Sequence, residues 1–85
     1  MSDINSVVLV GRLVRDPEVR TTPRGVSVGN FTLAVNRRFK VNGEAQEETA
    51  FVPCAVFNLP AQWLGEHKKG EKVAVSGRLP PYHCP

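Results

Sequence analysis

Cysteine, histidine, tryptophan and tyrosine are scarce in this chain. Its 85 residues include two Cys, two His, one Trp and one Tyr. Cys54 and Cys84 have no secretory segment ahead of them, so free thiols are the simplest reading rather than a disulfide framework. The N-terminal Met-Ser-Asp-Ile-Asn-Ser lacks a basic region followed by an apolar run, so no targeting segment is expected. No stretch approaches the ~20 apolar residues of a membrane-crossing helix. Catalysis finds little to work with. His67 and His83 stand apart, and there is no Ser/His/Asp set, no Gly-rich phosphate loop and no carboxylate pair in a plausible pocket. No enzyme and no catalytic residue are expected. Cys54, His83 and Cys84 stand at unrelated spacings, a weak metal signal, so neither metal nor cofactor is expected. Repeats, heptads and low-complexity tracts are absent.

What remains is one short domain. A chain of this size buries about 60% of its unfolded surface and is marginal alone, which favours oligomerisation. Hydrophobic content of 41% and charged content of 22% are ordinary for a globular chain. The net charge of +3 favours a polyanionic partner.

Local pattern points to strands. Residues 6–14 are apolar on both alternate faces, Val7 and Leu9 on one and Val8 and Val10 on the other. Such a strand is buried twice or faces another subunit, and Gly11 lets it bend. Asp16-Pro17 reads as a turn, with Asp16 bonding to the backbone that follows. Glu18-Val19-Arg20 is a short extended piece, and Thr22-Pro23-Arg24-Gly25 is a second turn. Over residues 26–40, Phe31, Leu33 and Val35 alternate with polar or small residues. Asn42-Gly43 then signals a hairpin with charged flanks that projects into solvent. Residues 49–58 place Phe51, Ala55 and Phe57 on one face and Val52, Cys54 and Val56 on the other, with Pro53 marking an edge or bulge. A helix is expected over 60–69, starting at Pro60, packing Trp63 and Leu64 on the body and ending at Lys68-Lys69-Gly70. Residues 71–79 form a further strand with Val73 and Val75 inward. By pattern alone the fold class is all-β, a small β-barrel or sandwich with one short helix.

Four segments in order sharpen this: Val-Val-Leu-Val-Gly-Arg-Leu at 7–13, Asp-Pro-Glu-Val-Arg at 16–20, Asn-Phe-Thr-Leu-Ala-Val-Asn at 30–36 and Val-Ala-Val-Ser-Gly-Arg-Leu at 73–79. The set resembles the oligonucleotide-binding domain of the bacterial single-stranded-DNA-binding protein family over about residues 4–79. The resemblance implies an OB-fold, a Greek-key barrel, across a domain 1–79, followed by a Pro-rich end at 80–85. It implies sequence-tolerant binding of single-stranded DNA in replication, recombination and repair, by a homotetramer or dimer, in the bacterial cytoplasm at the nucleoid. Replication and repair proteins are possible partners. The alternative is a primosomal-type OB module that bridges proteins, with DNA as a secondary contact.

A sequence-tolerant binder needs cations for phosphates and rings for bases. Phe31 alternates with the core set and is read as core. Strict alternation would place Phe39 there too, but it sits between Arg38 and Lys40 where the strand turns polar, so it is read as a stacker. Phe51 and Phe57 point outward if the aliphatic set is core, and either a base or another subunit covers them. The resemblance implies stackers at these three places, the first two commonly Trp in the family. Arg37, Arg38 and Lys40 flank Phe39, and Arg12, Arg20, Arg24, Lys72 and Arg78 are further phosphate contacts. Arg15, Lys68 and Lys69 have weaker cases, and Glu44, Glu47 and Glu48 repel phosphate.

The chain departs from the family after Leu79. Pro80-Pro81-Tyr82-His83-Cys84-Pro85 holds three prolines in six residues and makes no central strand. The strand that closes the family's barrel after this point, its fifth, is therefore not expected, nor the acidic family tail, and DNA binding weaker than a complete member's is. The chain reads either as a fragment or as a short variant whose barrel stays open or borrows a neighbour's strand. Trp63, where the family has a smaller apolar residue, has no explanation at this level.

Overall fold

Asn42 and Gly43 take φ of 52° and 81°, the left-handed conformation a tight hairpin demands, and fold the chain back on itself. The computed structural model describes residues 3–58 and 66–81. Their regular elements are β1 (Val7–Leu13), β2 (Glu18–Thr21), β3 (Ser27–Val41), β4 (Glu44–Phe57) and β5 (Lys72–Gly77). The charged flanks of the hairpin extend both of its strands, so β4 starts five residues earlier than the 49–58 expected. The predicted helix falls mainly on 59–65, outside the described residues, as do Trp63 and Leu64. Of its described part only Glu66 is helical; Lys68 to Glu71 form a turn instead, closed by the Glu71 N–H on the Lys68 carbonyl with Gly70 at a positive φ of 87°.

All pairings are antiparallel. β3 and β4 pair from Val28↔Phe57 to Val41↔Glu44. The other edge of β3 is shared: β2 covers it at 27–30, then β1 at Arg12↔Ala34 and Leu13↔Leu33. β5 pairs the far edge of β1, from Val7↔Gly77 to Arg12↔Lys72. The sheet curls into a half barrel, open between β4 and β5 onto a trough lined by Val7, Leu9, Val52, Cys54, Val56 and Val75. Among the described residues β4 has a neighbour on one side only, the edge position that Pro53 signalled.

The core is small. Leu13, Phe31 and Leu33 are buried, and Leu9, Val35, Cys54, Val56, Val73 and Val75 pack around them. Phe31, Leu33, Val35, Val73 and Val75 have the inward phase that alternation assigned, Cys54 and Val56 make the aliphatic face of β4 the core side, and Leu9 and Leu13 settle which face of β1 turns in. Val8 and Val10 face out and stay exposed, so the second apolar face of β1 is uncovered.

Tertiary bonds tie the loops to this core. Asp16 bonds not to the backbone that follows it, as its turn position suggested, but accepts the Lys69 N–H at 2.7 Å, fixing the loop after β1 to the turn before β5. Asn5 donates to the Leu79 carbonyl and accepts the Leu79 N–H, at 2.9 and 3.0 Å. One side chain thus continues the β1–β5 ladder by a step.

Gly11 does more than permit a bend. A Cβ there would lie 2.6 Å from the Ala34 carbonyl oxygen, where β3 crosses β1. That obstacle is backbone and cannot swing aside. Gly11→Ala is expected to cost about 1–3 kcal/mol, as overpacked positions do, and to lower the melting temperature by circular dichroism.

Beyond Val35 the hairpin leaves the body as a two-stranded arm. The radius of gyration is 15.9 Å, against about 12 Å for a compact domain of this length. The projecting arm contributes to the excess.

Candidate nucleic-acid interface

Directly opposed residues of an antiparallel sheet point to the same side. The register therefore threads two outward rows across the strands. One runs Arg20–Val28–Phe57 over β2, β3 and β4. The other runs Lys72–Arg12–Ala34–Phe51 over β5, β1, β3 and β4. Each row begins with cations and ends with a phenyl ring, and a small or aliphatic residue forms the floor between. Phe51 and Phe57 are 65% and 66% exposed, high values for phenylalanine. Six residues of extended chain separate them, about 20 Å.

The cations of both rows are exposed. Arg12 donates one hydrogen bond to the Gly70 carbonyl at 3.0 Å. That bond uses one of its five N–H donors and orients the rest. Glu18, opposite Asn30 and Ala55, puts one carboxylate on the same face between the rows.

Phe39 departs from the expected arrangement. It keeps the phase of Phe31 and Leu33, the alternation set aside at the sequence level, so it falls on the opposite side of the ribbon from Phe51 and Phe57. No bulge resets the phase, because the β3–β4 pairing is continuous from Val28 to Val41. The three rings do not form one row. Phe39 is half-buried, with the Arg37 guanidinium carbon 4.7 Å from its centroid. Arg37 is also bound, its Nη1 lying 2.8 Å from Glu48 Oε1. Arg38 and Lys40 take the outward phase of Ala34 and continue the Phe51 side along the arm.

Two expected contacts stand apart. Arg24 is exposed in the turn closed by Thr22 and Gly25, beyond β2. Arg78 lies past the end of β5 and lines the trough rather than either row. Cys54 donates its thiol to the Val52 carbonyl at 3.5 Å, and burial raises its pKa above the ordinary thiol value. Both features suit packing rather than metal binding or attack. His83 and Cys84 lie outside the described residues, and among those described no cluster of His, Cys, Asp or Glu could hold a metal. No described helix is long and apolar enough to cross a membrane. Ala34 and Val28, the floors of the two rows, carry no sequence signal at all. Their importance exists only through register.

Known proteins resemble this chain in sequence and, separately, in fold. The model of the single-strand binding protein family matches residues 4–83. The chain is 52% identical over 77 residues to single-stranded DNA-binding protein 3 of Listeria innocua, covering 89% of this chain and 48% of that protein. It is 52% identical over 77 residues to single-stranded DNA-binding protein 1 of Staphylococcus aureus, covering 89% of this chain and 46% of the other. It thus spans about half the length of these relatives. Among solved structures, the Plasmodium falciparum SSB complex with ssDNA superposes with a TM-score of 0.82 at 23% identity, over 92% of this chain and 72% of that one. That likeness establishes the OB-fold. With the family match over nearly its whole length, the chain belongs to the single-strand binding protein family.

Proposed function

We propose that this chain binds single-stranded DNA with little regard to sequence, without turnover, by stacking bases on Phe51 and Phe57. Arg12, Arg20 and Lys72 hold the phosphates, Arg38 and Lys40 extend the cationic path along the arm, and Arg24 and Arg78 contribute from its margins. Phe39 serves strand that wraps onto the other side of the ribbon. The observation that carries this reading is the pair of outward rows joining cation to ring across the sheet. The names of the relatives and the complex with ssDNA support it.

The physical fit is to a single strand. Stacking needs an unpaired base face, which a duplex withholds, while every base has such a face. We place the protein in replication, recombination and repair at the bacterial nucleoid, with proteins of those processes as partners. The hydrogen-bonded closure of Asn5 on Leu79 supports 1–79 as the binding unit, with 80–85 appended. The uncovered Val8 and Val10 suit pairing of copies into a dimer or tetramer, which light scattering would report.

The test is fluorescence anisotropy with labelled oligo-dT and a matched duplex over a salt series. Tighter binding of oligo-dT is expected, weakening steeply as salt rises. Arg20→Ala should lower the log–log salt slope by about one. Equal affinity for duplex and single strand, or salt-independent binding, would overturn the reading.

A further inference from the structure

We propose that Glu48 competes with DNA for Arg37, holding its guanidinium over the Phe39 ring until a bound phosphate draws it off. This rests on the DNA-binding reading and adds a residue that sets affinity. Arg37 and Glu48 are directly opposed on the hairpin and joined at 2.8 Å. The same guanidinium lies 4.7 Å from the Phe39 centroid, within cation–π range. Three groups thus form one unit in which a cation covers one face of a candidate stacking ring. A base reaches that face only after Arg37 moves.

The latch is built to open. Its partners are 65% and 55% exposed, so the pair is weak. A phosphate offers Arg37 the same bidentate geometry as a carboxylate. When it takes the guanidinium, Phe39 is uncovered and Glu48 is left to recruit a counterion. That uptake offsets one of the counterions the DNA releases.

The neighbouring pair supplies an internal control. Arg38 and Glu47 are also directly opposed, on the other side of the ribbon, yet form no ion pair among the described residues. Removing Glu47 changes the net charge of the arm as removing Glu48 does, without touching the latch.

The experiment is a double-mutant cycle read by oligo-dT anisotropy over a salt series, each variant first shown to melt like the parent. Glu48→Gln should bind about two- to fivefold tighter, the scale of an exposed ion pair. Its salt slope should steepen by up to about one. The gain should vanish in an Arg37→Gln background, whereas any gain from Glu47→Gln, on the Arg38 side of the ribbon, should persist there. The latch is overturned if Glu48→Gln binds no tighter, if its gain persists without Arg37, or if the Glu47→Gln gain depends on Arg37 in the same way. Failure of the parent to bind oligo-dT at all would overturn the DNA-binding reading and this proposal together, whereas binding without coupling removes the latch alone.

Discussion

Replacing Phe51 and Phe57 together by alanine is expected to weaken oligo-dT binding by roughly thirtyfold or more. Each stacked base contributes about 1–3 kcal/mol by alanine substitution, and two losses at the lower bound already give that factor. The sites are about 20 Å apart along β4 and share no partner, so their effects should add. Stability should barely change. Both rings are mostly exposed, opposite Ala34 and Val28 respectively, and a cross-strand pair contributes only about 0.2–1 kcal/mol. Isothermal titration with oligo-dT, alongside a thermal melt, separates the effects. A double variant that melts normally and binds as tightly as the parent would remove these rings from the site. Phe39→Ala should cost less than either single change at β4, because Arg37 already covers one face of that ring.

The second large effect concerns folding. Leu33 is 0% exposed, opposed by Leu13 on one side and Val52 on the other. It is one of three buried hydrophobic side chains at the centre of the core among the described residues. Leu33→Ala should cost about 2–5 kcal/mol, the lost transfer energy plus an unfilled cavity. A domain of this size has little more than that in reserve. The variant is therefore expected to lose its cooperative melt by circular dichroism, while Leu33→Met, nearly equal in volume, should keep it at a cost under about 1.5 kcal/mol. An alanine variant melting within a few degrees of the parent would place the core elsewhere.

Alternation made much of this legible before any coordinates. Phe31, Leu33, Val52, Cys54, Val56, Val73 and Val75 all turn inward, and Asn42-Gly43 turns the hairpin because few other pairs accept positive φ at both positions. Phe51 and Phe57 face outward for the same reason. Alternation was also right at Phe39, where flanking cations argued against it. Charge around a ring says that a segment is solvated, not which side a side chain takes. What stayed hidden depends on register. That Arg20 shares a row with Phe57, or Lys72 and Arg12 with Phe51, follows from pairings between segments far apart in sequence. Local pattern holds no trace of them. Gly11 and Asp16 show the same limit, since each is explained by a distant partner, the Ala34 carbonyl and the Lys69 amide. The segment likeness fixed the family and the expected ring positions, but not the faces on which those rings lie.

Single-stranded DNA is expected to lie on the outward face of β3 and β4 across Phe51 and Phe57. NMR of the aromatic ring resonances during titration with a dT oligomer addresses this most directly, because Phe31 provides a buried reference within the same spectrum. Ring signals of Phe51 and Phe57 should move upfield and saturate together, with the Arg12, Arg20 and Lys72 side chains shifting in step and Phe31 nearly still. Saturable binding that leaves the Phe51 and Phe57 rings unmoved would place the DNA elsewhere.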